Sequence, residues 1–232
     1  MSTTCEFVIS SGEAAVAFVD LSGFTALTEV HGDHLAAETA ETFAQLVRDV
    51  LSPEDRLVKT IGDAVLLTSP TRLSAVQLVQ RIVTVAEGVT WLPMLRAGVS
   101  YGPVAFTSTD VYGATVNVAA RVAATAEPGQ LLLTGSPPDF AERAGLHFAS
   151  LGSAELKNIA HPVQIFSAVL DEHGHRAHVD PVCRMHITAQ SIATAVIYRG
   201  RYHRFCSLTC GKQFMEQPHE FVRAVGHVAA AP

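Results

Sequence analysis

Apolar and polar positions change period several times along the chain, and each change predicts an element. Ala14 to Leu21 (AAVAFVDL) is a short apolar run with one acid near its end, the pattern of a buried strand. Ser22-Gly23-Phe24-Thr25 follows as a turn leading into a helix. From Asp33 to about Leu51, Ala36, Ala40, Phe43, Val47 and Val50 recur at helical spacing; Asp33 is a candidate cap and Pro53 closes the segment. Arg56 to Thr68 (RLVKTIGDAVLLT) has two apolar runs around Ile61-Gly62-Asp63, which predicts a hairpin with Gly-Asp in the turn. Ser74 to Glu87 gathers Val76, Val79, Ile82, Val83 and Ala86 on one side and predicts a helix.

Met94 to Phe106 alternates loosely and predicts a strand broken at Gly102-Pro103. Val116 to Ala126 predicts a helix stopped by Pro128-Gly129. Gln130 to Thr134, His147 to Leu151 and Val163 to Leu170 complete the strands. The order β-α-β-β-α-β, with hairpins inside an alternating pattern, points to an α+β, ferredoxin-like fold: an antiparallel sheet with helices on one face. Asp171 to His178 (DEHGHRAH) is polar and His-rich, and the composition changes after it. The expected division is a first domain over 1–172, a linker over 173–179 and a small unit over 180–232, a size at which metal or partner contacts often help stability.

Composition narrows the classes of function. Of 232 residues, 48% are apolar and 16% charged, enough to build a core and against disorder. The net charge of −6 argues against a general phosphate-backbone binder, so no nucleic-acid partner is expected. The longest apolar segment, Ser74 to Leu95, is interrupted by Gln77, Gln80, Arg81 and Glu87, so no transmembrane segment is expected. The first residues carry Glu6 and Glu13 and no basic start, so no signal peptide is seen and a cytoplasmic location is the default. Cys5 stands alone. Cys183, Cys206 and Cys210 cluster, which in a reducing compartment suggests a metal or redox site over a disulfide framework.

Two aspartates carry candidate chemistry. Asp20 ends a core strand and Asp63 sits in a hairpin turn, where carboxylates hold Mg²⁺ against a nucleotide in many folds. Gly23-Phe24-Thr25 offers backbone N–H groups at a helix start, a seat for a polyphosphate. Asn117 and Arg121 are four apart on a predicted helix and share a face. Taken singly, each has a plain structural reading as a turn acid, a cap or a surface cation.

Together, FVDLSGFT (18–25), VKTIGDAV (58–65), RAGVSYGPV (96–104) and DVYGATVNVAAR (110–121), with LKNI (156–159) as a weaker late segment, resemble the catalytic domain of class III adenylate and guanylate cyclases over roughly 14–170. The resemblance implies that Asp20 and Asp63 bind two Mg²⁺ or Mn²⁺ ions, with the Leu21 carbonyl as a further ligand. It implies that Asn117 orients the ribose and that Arg121 stabilises the transition state. Lys59 and Asp110 match the pair that reads the purine. In the family, Lys with Asp goes with ATP and Glu with Cys with GTP, although donor and acceptor counting alone also allows guanine. The family's site lies between two cyclase domains, so a full set in one chain implies a homodimer with two equivalent sites. Only Ala105 to Thr109 separate Gly102-Pro103-Val104 from Asp110, where many cyclases carry a longer dimerisation excursion.

DPVCRM (180–185) and YHRFCSLTC (202–210), followed by Phe214, Pro218 and Phe221, resemble a YHS/TRASH-type metal-binding domain. Three thiolates favour Zn²⁺ or Cu⁺, and the candidates for a fourth donor are His186, His203 and Met185. His173, His175 and His178 read as a solvated linker. The resulting expectation is an adenylate cyclase acting on ATP, with soft-metal regulation through the tail. The alternatives are a guanylate or mixed cyclase and a non-catalytic dimeric nucleotide or metal sensor.

Overall fold

The computed structural model describes residues 9–89, 91–136, 138–170 and 178–222. Cys5, His173 and His175, most of the expected linker and the side chain of His178 lie outside them. The elements run β1 (Ser10–Leu21), α1 (Phe24–His31), α2 (Asp33–Asp49), β2 (Arg56–Ile61), β3 (Ala64–Ser69), α3 (Arg72–Glu87), β4 (Leu95–Phe106), β5 (Val111–Tyr112), α4 (Ala114–Thr125), β6 (Gln130–Thr134), α5 (Ala141–Ala144), β7 (Ala149–Ala154) and β8 (Val163–Val169). They form one sheet in the order β2-β3-β1-β4-β6-β8-β7, with β5 folded back on β4. Its pairs are antiparallel except β4 with β6. The α+β fold expected from the sequence is therefore present.

Helices cover both faces of the sheet, not the one face expected. Ala15, Ala17, Val19 and Leu21 of β1 join a core with Phe43 and Val47 of α2 and Val76, Val79 and Ile82 of α3. The alternate residues Ala14 and Val16 pack with Val104, Val111 and Ala119 of α4 on the opposite face. A strand buried on both sides has no polar alternation, and the unbroken run AAVAFV is that pattern. Helix α4 lies so close to β4 that a Cβ on Gly98 would collide with the backbone of Ala119 and Ala123.

Strand β4 also runs straight through Gly102-Pro103. The Pro103 carbonyl accepts the Thr115 hydroxyl at 2.8 Å and so faces away from β1. In a strand the nitrogen of a residue points the same way as its carbonyl, and β6 pairs only with Ala97 to Val99. The missing N–H therefore removes no ladder bond. Asp33 is the first residue inside α2, behind Gly32, and is not its cap.

A second unit holds β9 (His178–Val179), β10 (His186–Ile187), β11 (Thr194–Tyr198), β12 (Arg201–Phe205), α6 (Leu208–Glu216) and α7 (Pro218–Phe221). Its apolar core is shared: Val182, Cys183, Met185, Phe205, Cys210 and Phe214 pack with Leu27 of α1 and Ala36 of α2. The Met94 N–H donates to the Arg184 carbonyl at 3.0 Å, and Pro93 bridges to Met185, so the unit is also tied to the segment leading into β4. Among the described residues no helix is long and apolar enough to cross a membrane.

Candidate active site

Asp20 sits in the penultimate position of β1, and β3 pairs it with Ala64, the residue after Asp63. Ile61 pairs with Ala64, so Gly62-Asp63 is a two-residue hairpin loop. Gly62 has φ +62°, a conformation that favours glycine and closes such loops. The Leu21 N–H donates to the Asp63 carbonyl at 3.3 Å and draws the turn against the end of β1. The register and this bond bring the Asp63 carboxyl near that of Asp20. Burial first, and then the Asp20 charge, raise the Asp63 pKa from 3.8 to about 6. Two acids brought together at a partly buried turn are a donor set that a divalent cation would relieve.

Arg96 answers part of that charge. It lies directly opposite Asp20 in the β1–β4 register, and its Nε and Nη2 donate to Asp20 Oδ2 at 2.8 and 2.5 Å. It opens the RAGVSYGPV segment (96–104), to which the sequence reading gives no site role; the cross-strand register brings it there. Because metal capture needs both carboxylates ionised, Mn²⁺ affinity should climb by up to about tenfold per pH unit toward about pH 6 and flatten above it. Arg96 lowers the Asp63 pKa, so Arg96→Gln should move that midpoint to higher pH. It should also raise the plateau affinity, since Asp20 Oδ2 is then free. Calorimetric Mn²⁺ titrations from about pH 5 to about pH 8 read both effects, and an unmoved midpoint refutes this electrostatic account.

Directly after Leu21, Ser22 donates its N–H to the Met94 carbonyl at 2.8 Å and Gly23 opens α1 with φ +78°. Gly23 and Thr25 are exposed, whereas the Phe24 ring packs against both neighbouring cores. What this turn can offer a phosphate is therefore backbone N–H groups, with Phe24 fixing the turn from beneath.

Lys59 and Asp110, 51 positions apart, meet: Nζ donates to Oδ2 at 2.6 Å. The connection before Asp110 is a tight one. Thr107 and Asp110 close it by a backbone bond of 2.9 Å, and β5 folds back on Ala105 and Phe106. The hydrogen bond from Lys59 is the main reason the Asp110 pKa falls below the ordinary carboxylate value. Asn117 and Arg121 are both exposed on the outward face of α4. Among the described residues no hydrogen bond or ion pair links them to Asp20 or Asp63.

Residues 8–169 match the family described as the adenylate and guanylate cyclase catalytic domain. The chain belongs to that family. The cyclase region is 36% identical over 158 residues to a pH-sensitive adenylate cyclase of Mycobacterium tuberculosis, covering 66% of this chain and 40% of that protein. It is 34% identical over 122 residues to an adenylate cyclase of Streptomyces griseus, covering 52% of this chain and 31% of that one. The chain thus spans well under half the length of these two relatives. In fold the cyclase region resembles the adenylyl cyclase CyaB from P. aeruginosa, with a TM-score of 0.59 at 19% identity over 70% of this chain and 96% of that one. The guanylyl cyclase Cya2 gives 0.58 at 19% identity over 71% and 96%.

The three clustered cysteines lie beyond the matched region. Cys183 and Cys210 are buried, and the Cys206 sulfur is 3.5 Å from that of Cys183 and 3.7 Å from that of Cys210. Hydrogen bonds from Cys183 and Cys206 favour the Cys210 thiolate, while the thiol of Cys183 is held protonated. The expected fourth donors are elsewhere. The His203 ring lies in an aromatic cluster, 4.9 Å from Phe214 and 6.3 Å from Tyr198. His186 does not join the group either, and Met185 lies in the apolar cluster around Cys183 and Cys210. Among the described residues the histidine that joins is His31, from the end of α1.

Proposed function

We propose that the chain is an adenylate cyclase, forming 3′,5′-cyclic AMP and pyrophosphate from ATP at sites shared between two copies. The observation that carries this reading is the convergence of Asp20 and Asp63 on one half-buried point beside the opening turn of α1. Two Mg²⁺ or Mn²⁺ ions held there, with the Leu21 carbonyl as a further donor, would activate the ribose 3′-hydroxyl and offset triphosphate charge. The 3′-oxygen bonds to the α-phosphorus, its proton departs, and the bond to the β-phosphate oxygen breaks to release pyrophosphate. The N–H groups of Gly23, Phe24 and Thr25 hold the phosphates. Asn117 orients the ribose, and Arg121 counters charge that develops on the phosphorus and the leaving group.

Lys59 and Asp110 read the purine. They are bonded to each other, and adenine offers an acceptor at N1 and a donor at N6 that replace this mutual bond. Guanine presents O6 and N1–H in the same sense, so the two nucleotides must be compared directly. Purified protein should make cyclic AMP from ATP with kcat/KM at least about tenfold above that for GTP. Changing the pair to the family's other combination, Lys59→Glu with Asp110→Cys, should reverse that preference. Absence of cyclic nucleotide from either substrate, in Mg²⁺ and in Mn²⁺ and with dimeric protein, would leave the sensor reading in its place.

The residues from 180 onward we read as a soft-metal unit of the YHS/TRASH kind, joined through 173–179, with Cys183, Cys206 and Cys210 as ligands and an influence on the cyclase.

A further inference from the structure

Three sulfurs leave a tetrahedral metal one ligand short. His31 Nε2 stands 3.5 Å from the Cys206 sulfur, and its ligand atom and those of Cys183, Cys206 and Cys210 all lie within 4.8 Å of one another. A tetrahedral Zn²⁺ with bonds of about 2.3 Å to sulfur and about 2.0–2.1 Å to nitrogen needs S···S separations of about 3.8 Å and S···N separations of about 3.6 Å. The observed 3.5 and 3.7 Å between sulfurs, and 3.5 Å from sulfur to nitrogen, are close to that geometry. The four ligand atoms, from three separate segments of the chain, lie within the span that one ion bridges.

The surroundings hold the ligands in place. Asp180 is fully buried. Its Oδ1 accepts the backbone N–H of Val182 at 2.8 Å and of Cys183 at 3.4 Å, and its Oδ2 accepts that of Cys206 at 2.9 Å. One carboxylate therefore fixes both cysteine-bearing turns, as a supporting group behind a metal site does. The Ser207 hydroxyl caps α6 by accepting the Cys210 N–H at 3.0 Å, which sets the third sulfur.

We propose that His31, Cys183, Cys206 and Cys210 form a closed Cys3His site for Zn²⁺ that fastens the second unit to α1 of the cyclase domain. Three thiolates and one imidazole at tetrahedral spacing are a structural zinc donor set, and the nitrogen ligand favours Zn²⁺ over Cu⁺. The site grips α1 at both ends. His31 is its last residue, and at its start Gly23 faces Cys183 and Arg184 so closely that an added Cβ would lie 2.8 Å from Arg184 Cγ. Metal bound here therefore sets helix α1 at both of its ends. The inference builds on the reading of the three cysteines as metal ligands and is independent of the cyclase reading.

X-ray absorption at the zinc edge of the full chain, loaded with one equivalent of Zn²⁺ under reducing conditions, should show three sulfurs and one nitrogen of an imidazole. Chelator competition should show His31→Ala weakening Zn²⁺ binding at least about a hundredfold, more than loss of a supporting residue does, while His186→Gln leaves it unchanged. Co²⁺ in place of Zn²⁺ should give intense tetrahedral bands in the wild type that weaken in His31→Ala. Three sulfurs with an oxygen in place of nitrogen, or an affinity indifferent to His31→Ala, would overturn the fourth ligand and keep the cysteine site. Failure to bind Zn²⁺ at all would overturn both. The wild-type spectrum decides the matter even where a variant fails to fold.

Discussion

Asp63→Asn is expected to lower cyclic AMP formation by about a thousandfold, roughly 4 kcal/mol of transition-state stabilisation, and at the same time to make the fold more stable at neutral pH. The two effects share one cause. Folding places the Asp63 carboxyl beside Asp20 and away from water, and its pKa rises from 3.8 to about 6. An acid whose pKa is raised on folding is harder to ionise in the native state, so it weakens stability as pH rises from about 3.8 through about 6. Above that range the whole penalty is present. A shift of about two units corresponds to ~3 kcal/mol, and the open side of the turn screens it to about 1 kcal/mol. Asparagine keeps the shape and removes the charge, so Tm at pH 7 should rise by about 2–4 °C, while near pH 4 the variant and the wild type should melt together. Saturating Mn²⁺ should reverse the order. Ligand at a hundred times its Kd stabilises by about 2.7 kcal/mol, and only the wild type has the full donor pair. A variant that keeps turnover, or melts lower at pH 7 without metal, would sink the account of Asp63 as a strained metal ligand.

What the sequence made legible follows the range over which each signal acts. The Gly62-Asp63 turn was visible because two apolar runs around a Gly-Asp pair are a local pattern, and the pairing of Asp20 with Ala64 follows from the hairpin lying beside β1. Lys59 and Asp110 came together only through the family resemblance, because no local rule spans 51 positions. Helix α1 was seen as a turn entering a helix but not as a separate eight-residue element. Two turns are too few for a helical period to stand out, and part of what packs on its Leu27 comes from Val182 and beyond. His31 was missed for the same reason: a ligand so distant in the chain from Cys183 leaves no spacing to read. The donors expected instead, His186, His203 and Met185, lie nearer the cysteines in sequence, and neither histidine joins them in space. Arg96 needed the β1–β4 register, which pairs it with Asp20 across two strands far apart in the chain.

A mixture of two inactive variants is expected to regain about a quarter of wild-type activity. Asn117 and Arg121 lie on the outward face of α4, unconnected to Asp20 or Asp63 by any hydrogen bond or ion pair among the described residues. The large apolar side chains of Ile61 and Tyr112, beside Asp63 and Asp110, are about half exposed, at 47% and 55%. Both facts suit a site completed by a second copy. In a two-fold dimer each site would take its aspartates from one chain and its Asn117 and Arg121 from the other. Asp63→Asn alone and Arg121→Ala alone each spoil both sites of their homodimers. When the two are unfolded together and refolded, half of the dimers should be mixed. Each mixed dimer has one site carrying both defects and one carrying none, so half the dimers with half their sites working leaves about a quarter. If Asp63 and Arg121 instead served one site within a chain, every site in the mixture would keep a defect and activity would stay at the level of the single variants. Sedimentation at the assay concentration shows whether dimers are present, which matters here because the β4–β5 connection is short. Dimers without regained activity would overturn the shared site, and recovery in protein that sediments as a monomer is incompatible with it.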